Sequence, residues 1–142
     1  MNRQEAMSIL AILKAAYPNS YKGMSAEDAT GTASVWAMQF PDVSAQLVIM
    51  AVNKCIASSP FPPAISEVKN KMLSLHWEAY NLLEEERRDM AIGLPPTFSE
   101  NKRAQLEAIK DQTGQYRYEK TIEPSVWQML EGGYVPRIGS GA

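Results

Sequence analysis

The chain has 142 residues, 45% of them hydrophobic and 21% charged, and a formal net charge of -2. That balance suits a single globular core and argues against a strongly basic nucleic-acid binder. One histidine and one cysteine exclude an internal disulfide and every standard Cys/His zinc site.

No apolar run is long enough to span a bilayer. Met1 to Glu5 lack the apolar stretch of a secretory signal, so a cytoplasmic location is expected. Charge is uneven along the chain: residues 1–73 hold six Lys/Arg and five Asp/Glu, and residues 74–142 hold eight and eleven. This shift of character places a boundary between an N-terminal helical domain, 1–73, and a C-terminal extension, 74–142.

Ala6, Ile9, Leu10, Leu13 and Ala16 recur at three-and-four spacing and predict a first helix from about Arg3 to Ala16, started by Asn2 with Glu5. Tyr17-Pro18 ends it, because the residue before a proline avoids the α conformation. A second helix starts after Ser25, whose hydroxyl can cap free backbone N–H groups, and its apolar face is Ala29, Ala33, Trp36 and Phe40. Phe40-Pro41-Asp42 breaks the chain again. Asp42 is the expected cap of a third helix that faces inward through Leu47, Val48, Ala51, Val52, Cys55 and Ile56. Cys55 in that face reads as a buried, unreactive thiol.

The run Ser58-Ser59-Pro60-Phe61-Pro62-Pro63 is a stiff extended connector, since its prolines remove donors and fix φ. Pro63 suits the first turn of a fourth helix reaching about Ile92, with the stripe Ile65, Val68, Met72, Leu75, Ala79 and Leu82. At 1.5 Å per residue such a helix is about 40 Å long and should project beyond the first three. Its projecting half carries a second apolar stripe, Leu73, Trp77 and Tyr80, that is covered either by the chain's own C-terminal segment or by a partner. Glu84 to Asp89 reads as a solvated face with internal charge pairs. Gly93-Leu94-Pro95-Pro96 is a break, and Ser99 to Gln112 forms a weakly anchored helix around Leu106 and Ile109. Tyr116 and Tyr118 sit in an aromatic and charged stretch. A short helix from Pro124 then carries Val126, Trp127, Met129 and Leu130 before Gly132-Gly133, and Tyr134 opens the tail. The fold class is all-α: a compact N-terminal four-helix unit whose long fourth helix leads into a less regular helical C-terminal segment.

Chemistry is sparse. No GxxxxGK[ST] phosphate loop occurs, and the glutamates at 84, 85 and 86 diverge around a helix, so no catalytic residue, metal ligand or cofactor site is assigned. His76, beside Leu75 and Trp77, reads as a packed residue. The remaining features suit recognition of another protein. Phe61 stands on a stiff scaffold, although it fits equally as a plug for the end of the bundle. Trp127, Met129, Leu130 and Tyr134 are of residue types enriched in interface cores, and either dock on a partner or pack on their own chain. The candidate partner-binding residues are therefore Phe61, Leu73, Trp77, Tyr80, Tyr116, Tyr118, Trp127, Met129, Leu130 and Tyr134.

Three segments in this order, Ala15-Ala16-Tyr17-Pro18-Asn19 closing the first helix, Trp36 in the second, and Phe61-Pro62-Pro63-Ala64-Ile65-Ser66-Glu67-Val68 opening the fourth, resemble the phage replicative-helicase loader and inhibitor family. The resemblance covers roughly residues 3–72. It implies a bacteriophage DNA-replication accessory protein that binds the hexameric replicative helicase, inhibits it, and helps load it at the phage origin through an origin-binding replication protein. It also implies a compact N-terminal part and a C-terminal part that engages the helicase. No family motif is seen after residue 74, so the C-terminal candidates rest on residue chemistry alone. Two other readings stay open: a DNA-binding module using Arg87-Arg88 and Lys102-Arg103, whose lysines and arginines are interleaved with acids, and a self-assembling phage structural protein using the long helix as a seam.

Overall fold

The computed structural model describes residues 1–116. Five helices follow in order, α1 (Arg3–Ala16), α2 (Ala26–Gln39), α3 (Ala45–Ser58), α4 (Ile65–Ala91) and α5 (Glu100–Thr113), and a single 3-10 turn, Gly114–Tyr116, closes α5. There is no strand among the described residues, and the fold is all-α.

The first two helices start where short polar side chains replace missing backbone partners. The Asn2 side chain accepts the Glu5 N–H at 2.8 Å while the Glu5 carboxylate accepts the Asn2 N–H at 2.9 Å, so two orphan donors are satisfied reciprocally. Ser25 and Asp28 repeat the arrangement for α2. The third start differs from expectation. Asp42 lies at φ 59°, in the left-handed region, and the cap is Ser44, whose Oγ accepts the Leu47 N–H at 3.4 Å. Val43 explains the shift: it is buried, so the chain turns it into the core before the helix begins, and Asp42 takes the αL conformation that short polar residues tolerate. Likewise α4 starts at Ile65, two residues after Pro63, which is itself buried at the end of the extended connector.

The core is built from one face of each of the first four helices. Ala6, Ile9 and Leu13 of α1 meet Ala33 and Trp36 of α2 and Phe40 just past its end, with Val48, Ala51, Val52 and Cys55 of α3 and Val68, Met72 and Leu75 of α4 completing the cluster. Trp36 is 8% exposed, its ring 5.9 Å from that of Phe40. Burial of each large side chain stabilises by roughly 1.5–3 kcal/mol, which makes this face-to-face packing the main support of the unit. Burial also raises the Cys55 thiol above its ordinary pKa, so the thiolate needed for reaction is disfavoured. The Tyr17 hydroxyl donates to the Ser59 carbonyl at 2.8 Å and ties the end of α1 to the proline connector.

The α4 stripe is half-buried at Ile65 and buried from Val68 to Ala79, whereas Leu82 is 39% exposed. Beyond that point α4 has left the first three helices behind, and its support comes from α5, which runs back antiparallel along it. The return reaches the N-terminal unit: the Ser44 N–H donates to the Gln112 side-chain carbonyl at 3.1 Å, and Ile109 packs against the core. The expected boundary at residues 73 and 74 falls inside the unbroken helix α4. Ser44→Ala should lower the unfolding free energy by about 1 kcal/mol, measured by urea titration; an unchanged midpoint would return the capping role to another residue.

Candidate partner-binding surface on α4 and α5

Two buried polar side chains of α4 hold α5 in place, one at each end of their contact. Toward the tip, Glu86 is 4% exposed. Its carboxylate accepts the Arg103 Nε–H and the Phe98 N–H, both at 2.7 Å. Arg103 also donates to the Phe98 carbonyl at 3.4 Å, so one ion pair fixes both the loop and the first turn of α5. The Arg103 hydrogen bond, and next the Phe98 N–H, hold the Glu86 carboxyl below the usual range despite the opposing effect of burial. This departs from the expected solvated face over Glu84 to Asp89. The rest of the stretch keeps that picture, with Glu85, Arg87 and Arg88 exposed and Glu84 paired with Arg87 at 2.7 Å.

Nearer the core, His76 is 5% exposed and packed, as its sequence context suggests. Its Nδ1 lies 2.8 Å from the Lys110 carbonyl; a carbonyl only accepts, so Nδ1 carries the proton. Nε2 is buried without a hydrogen-bond partner among the described residues. A Cβ added at Gly114 would stand 3.2 Å from His76 Cε1, so glycine allows the chain after α5 to close over the imidazole. The Trp77 ring meets His76 edge-on at 5.0 Å and Tyr80 at 5.5 Å, which makes a three-ring cluster along one side of α4.

The structure separates the sequence candidates. Leu73 is buried in the packing of its own chain, while Trp77 and Tyr80 remain 41% and 39% exposed. Helix α5 thus covers the second stripe in part. Phe61 is 74% exposed and does not plug the bundle; the buried Pro63 lies there instead. No ring contact joins Phe61 to the Trp77 cluster among the described residues. Tyr116 closes the 3-10 turn, and Tyr118, Trp127, Met129, Leu130 and Tyr134 lie outside the described residues. Sequence reading passed over Met90, Ile92 and Leu94, exposed at the tip of α4 and the loop that follows; Gly93 marked the break, but its flanking apolar residues gave no periodic signal.

Other chemistries find little to work with. Among the described residues no group of His, Cys, Asp and Glu could hold a metal ion, and no helix is long and apolar enough to cross a membrane. Of the two basic pairs considered for DNA, Arg87 is bonded to Glu84 and Arg103 to Glu86.

Residues 1–69 match the G39P_N family, the N-terminal domain of a phage helicase loader/inhibitor. Over these residues the N-terminal unit is similar to that loader and inhibitor family. The match covers α1 to α3 and the first turn of α4, and ends before the three-ring cluster and the whole of α5. No curated protein and no solved structure matches the chain.

Because the folded pKa of Glu86 is depressed, its contribution to stability is present above the unfolded carboxylate value of about 4.3 and is lost as pH falls through the folded value. Acid titration below about pH 4 should therefore release α5 from α4 and expose Trp77, seen as a change in its fluorescence. In Glu86→Gln the docking should already be weakened at pH 7, and this acid-dependent step should shrink; an identical step in the variant would assign the transition to other carboxylates.

Proposed function

We propose that this protein binds a hexameric replicative helicase, holds it inactive, and helps deliver it to a phage origin in the cytoplasm of the bacterial host. The match of residues 1–69 to the N-terminal domain of a phage helicase loader/inhibitor carries this reading. An origin-binding replication protein is the second partner. The chain itself is not an enzyme: no phosphate cradle is legible in its sequence, and its effect on ATP turnover is exerted on the helicase.

Within this reading the N-terminal unit is a rigid platform, and the helicase is engaged by the part of the chain after residue 73. Two observations support that division. The core side chains of α1 to α3 are occupied in packing, whereas Trp77 and Tyr80 keep exposed ring surface on a helix held rigid at both ends. Large aromatic anchors of this kind dominate the energetics of many interfaces. The tail candidates Tyr118, Trp127, Met129, Leu130 and Tyr134 extend the same chemistry, and Phe61 offers a separate aromatic contact on the N-terminal unit.

Size-exclusion chromatography with light scattering, on this protein mixed with the host's replicative helicase, tests the complex directly. Co-elution is expected, with a changed ATPase rate only when helicase is present. Deleting residues 117–142, which spares the packed turn at Gly114–Tyr116, should leave the helical circular dichroism of the remainder intact and abolish helicase binding. Trp127→Ala should weaken binding by about thirtyfold, the equivalent of roughly 2 kcal/mol. Helicase affinity unchanged by the deletion would remove the tail from the site.

A further inference from the structure

We propose that the tip of the α4–α5 hairpin is a docking surface for a cationic protein segment that carries a large apolar side chain, a contact separate from the Trp77 cluster and independent of the helicase assignment.

The apolar part of the surface arises from how α4 ends. Gly93 lies at φ +90°, its N–H donates to the Met90 carbonyl at 3.1 Å, and the Leu94 N–H donates to the Asp89 carbonyl at 3.0 Å. These two bonds make a Schellman ending, in which the residue after the glycine normally packs its apolar side chain onto the last turn of the helix. Here the positions it would meet are Asp89 and Arg88. Leu94 therefore lacks that apolar partner on the last turn and stays 50% exposed; in the same segment Ile92 is 77% exposed and Met90, which also lines the groove toward Arg87 and Arg103, is 45% exposed. Pro95 and Pro96 stiffen the loop, and the Glu86 carboxylate anchors its far end through the Phe98 N–H. An apolar surface held this rigidly loses little entropy on binding.

Charge specifies the occupant. On one side of the tip a groove of about 280 Å³ is lined by Leu82, Thr97 and Phe98 together with Glu85 and Asp89. Glu86, in the same groove, is already neutralised by Arg103. Neither Glu85 nor Asp89 has an ion pair or a side-chain hydrogen bond among the described residues. Both sit in the last two turns of a 27-residue helix, where the backbone carbonyls add further negative potential. An incoming cation is attracted by both carboxylates at once. Their spacing of one helical turn matches two Lys or Arg side chains flanking an apolar residue.

Other occupants meet opposition from the same charges. A second copy placed by a twofold axis would bring Glu85 and Asp89 against their own equivalents. An anionic lipid surface would be repelled. Residues 117–142 of this chain hold three Lys/Arg and three Glu and have no cationic excess to offer.

The test uses the full-length, isotope-labelled protein and two synthetic helical peptides, one with leucine and lysine on opposite faces at three-and-four spacing and one with glutamate replacing every lysine. The lysine peptide should shift amide resonances within residues 82–98, bind at least tenfold more tightly than the glutamate peptide, and weaken as salt is raised. Glu85→Lys with Asp89→Lys, and separately Leu94→Ser, should each reduce its affinity at least tenfold while circular dichroism stays unchanged. Equal affinity for the two peptides, shifts outside the tip, or no saturable binding would overturn the proposal. So would binding of the protein to anionic phospholipid vesicles through the tip, or a shift of the tip resonances on deleting residues 117–142 in the absence of peptide.

Discussion

Glu86 occupies the angle between α4 and the loop that returns into α5, and the geometry of the distal half depends on it. A carboxylate so nearly buried is tolerated only where opposite charge and hydrogen-bond donors surround it. Arg103 supplies the charge and Phe98 a backbone N–H, and each comes from a different part of the returning chain. The ion pair thus does more than attract: it dictates where the loop must pass and which face of α5 turns toward α4. A hydrophobic contact at this position would hold the two helices together with less constraint on register, because apolar contact has no direction. The His76 contact with the Lys110 carbonyl fixes the opposite end, so α5 is pinned at two points with Leu106 buried between them.

Helix α4 is the member that joins these two regimes. Its first half is held by large-area apolar packing against α3 and the core, and its second half by a narrower seam that mixes apolar contact with two polar clamps. A continuous backbone means that the position of the distal arm is inherited from the core without a hinge. Surface left exposed on the arm, the Trp77 and Tyr80 rings above all, is therefore held at a fixed distance from the N-terminal unit.

Much of the N-terminal unit was legible in the sequence because local and global signals agree there. Asn2 with Glu5 and Ser25 with Asp28 are cap patterns adjacent to clear apolar periodicity, and both helices begin where those residues place them. The third start was misplaced because Asp42 is a good cap by type, whereas burial of Val43, a tertiary demand, selected Ser44. The stripe through Leu82 followed helical spacing past the point where any neighbour remains to cover it; periodicity gives direction around a helix but not how far the next element reaches. Phe61 illustrates the same limit, since nothing in its neighbours says whether an aromatic on a proline scaffold turns inward or outward. Glu86 was hidden among five other charged residues. Its partner Arg103 is 17 positions away, and only the path of the loop brings the two together.

The division of support along α4 means that one helix carries two stabilities. Amide groups near Val68 and Met72 should exchange only when the whole core opens, whereas those near Leu82 and Glu86, covered by α5 alone, should also exchange through its detachment with the N-terminal unit still folded. A protein that must grip a large partner and later let go would then have, in the reversible detachment of α5, a way to do so that never passes through its own unfolding.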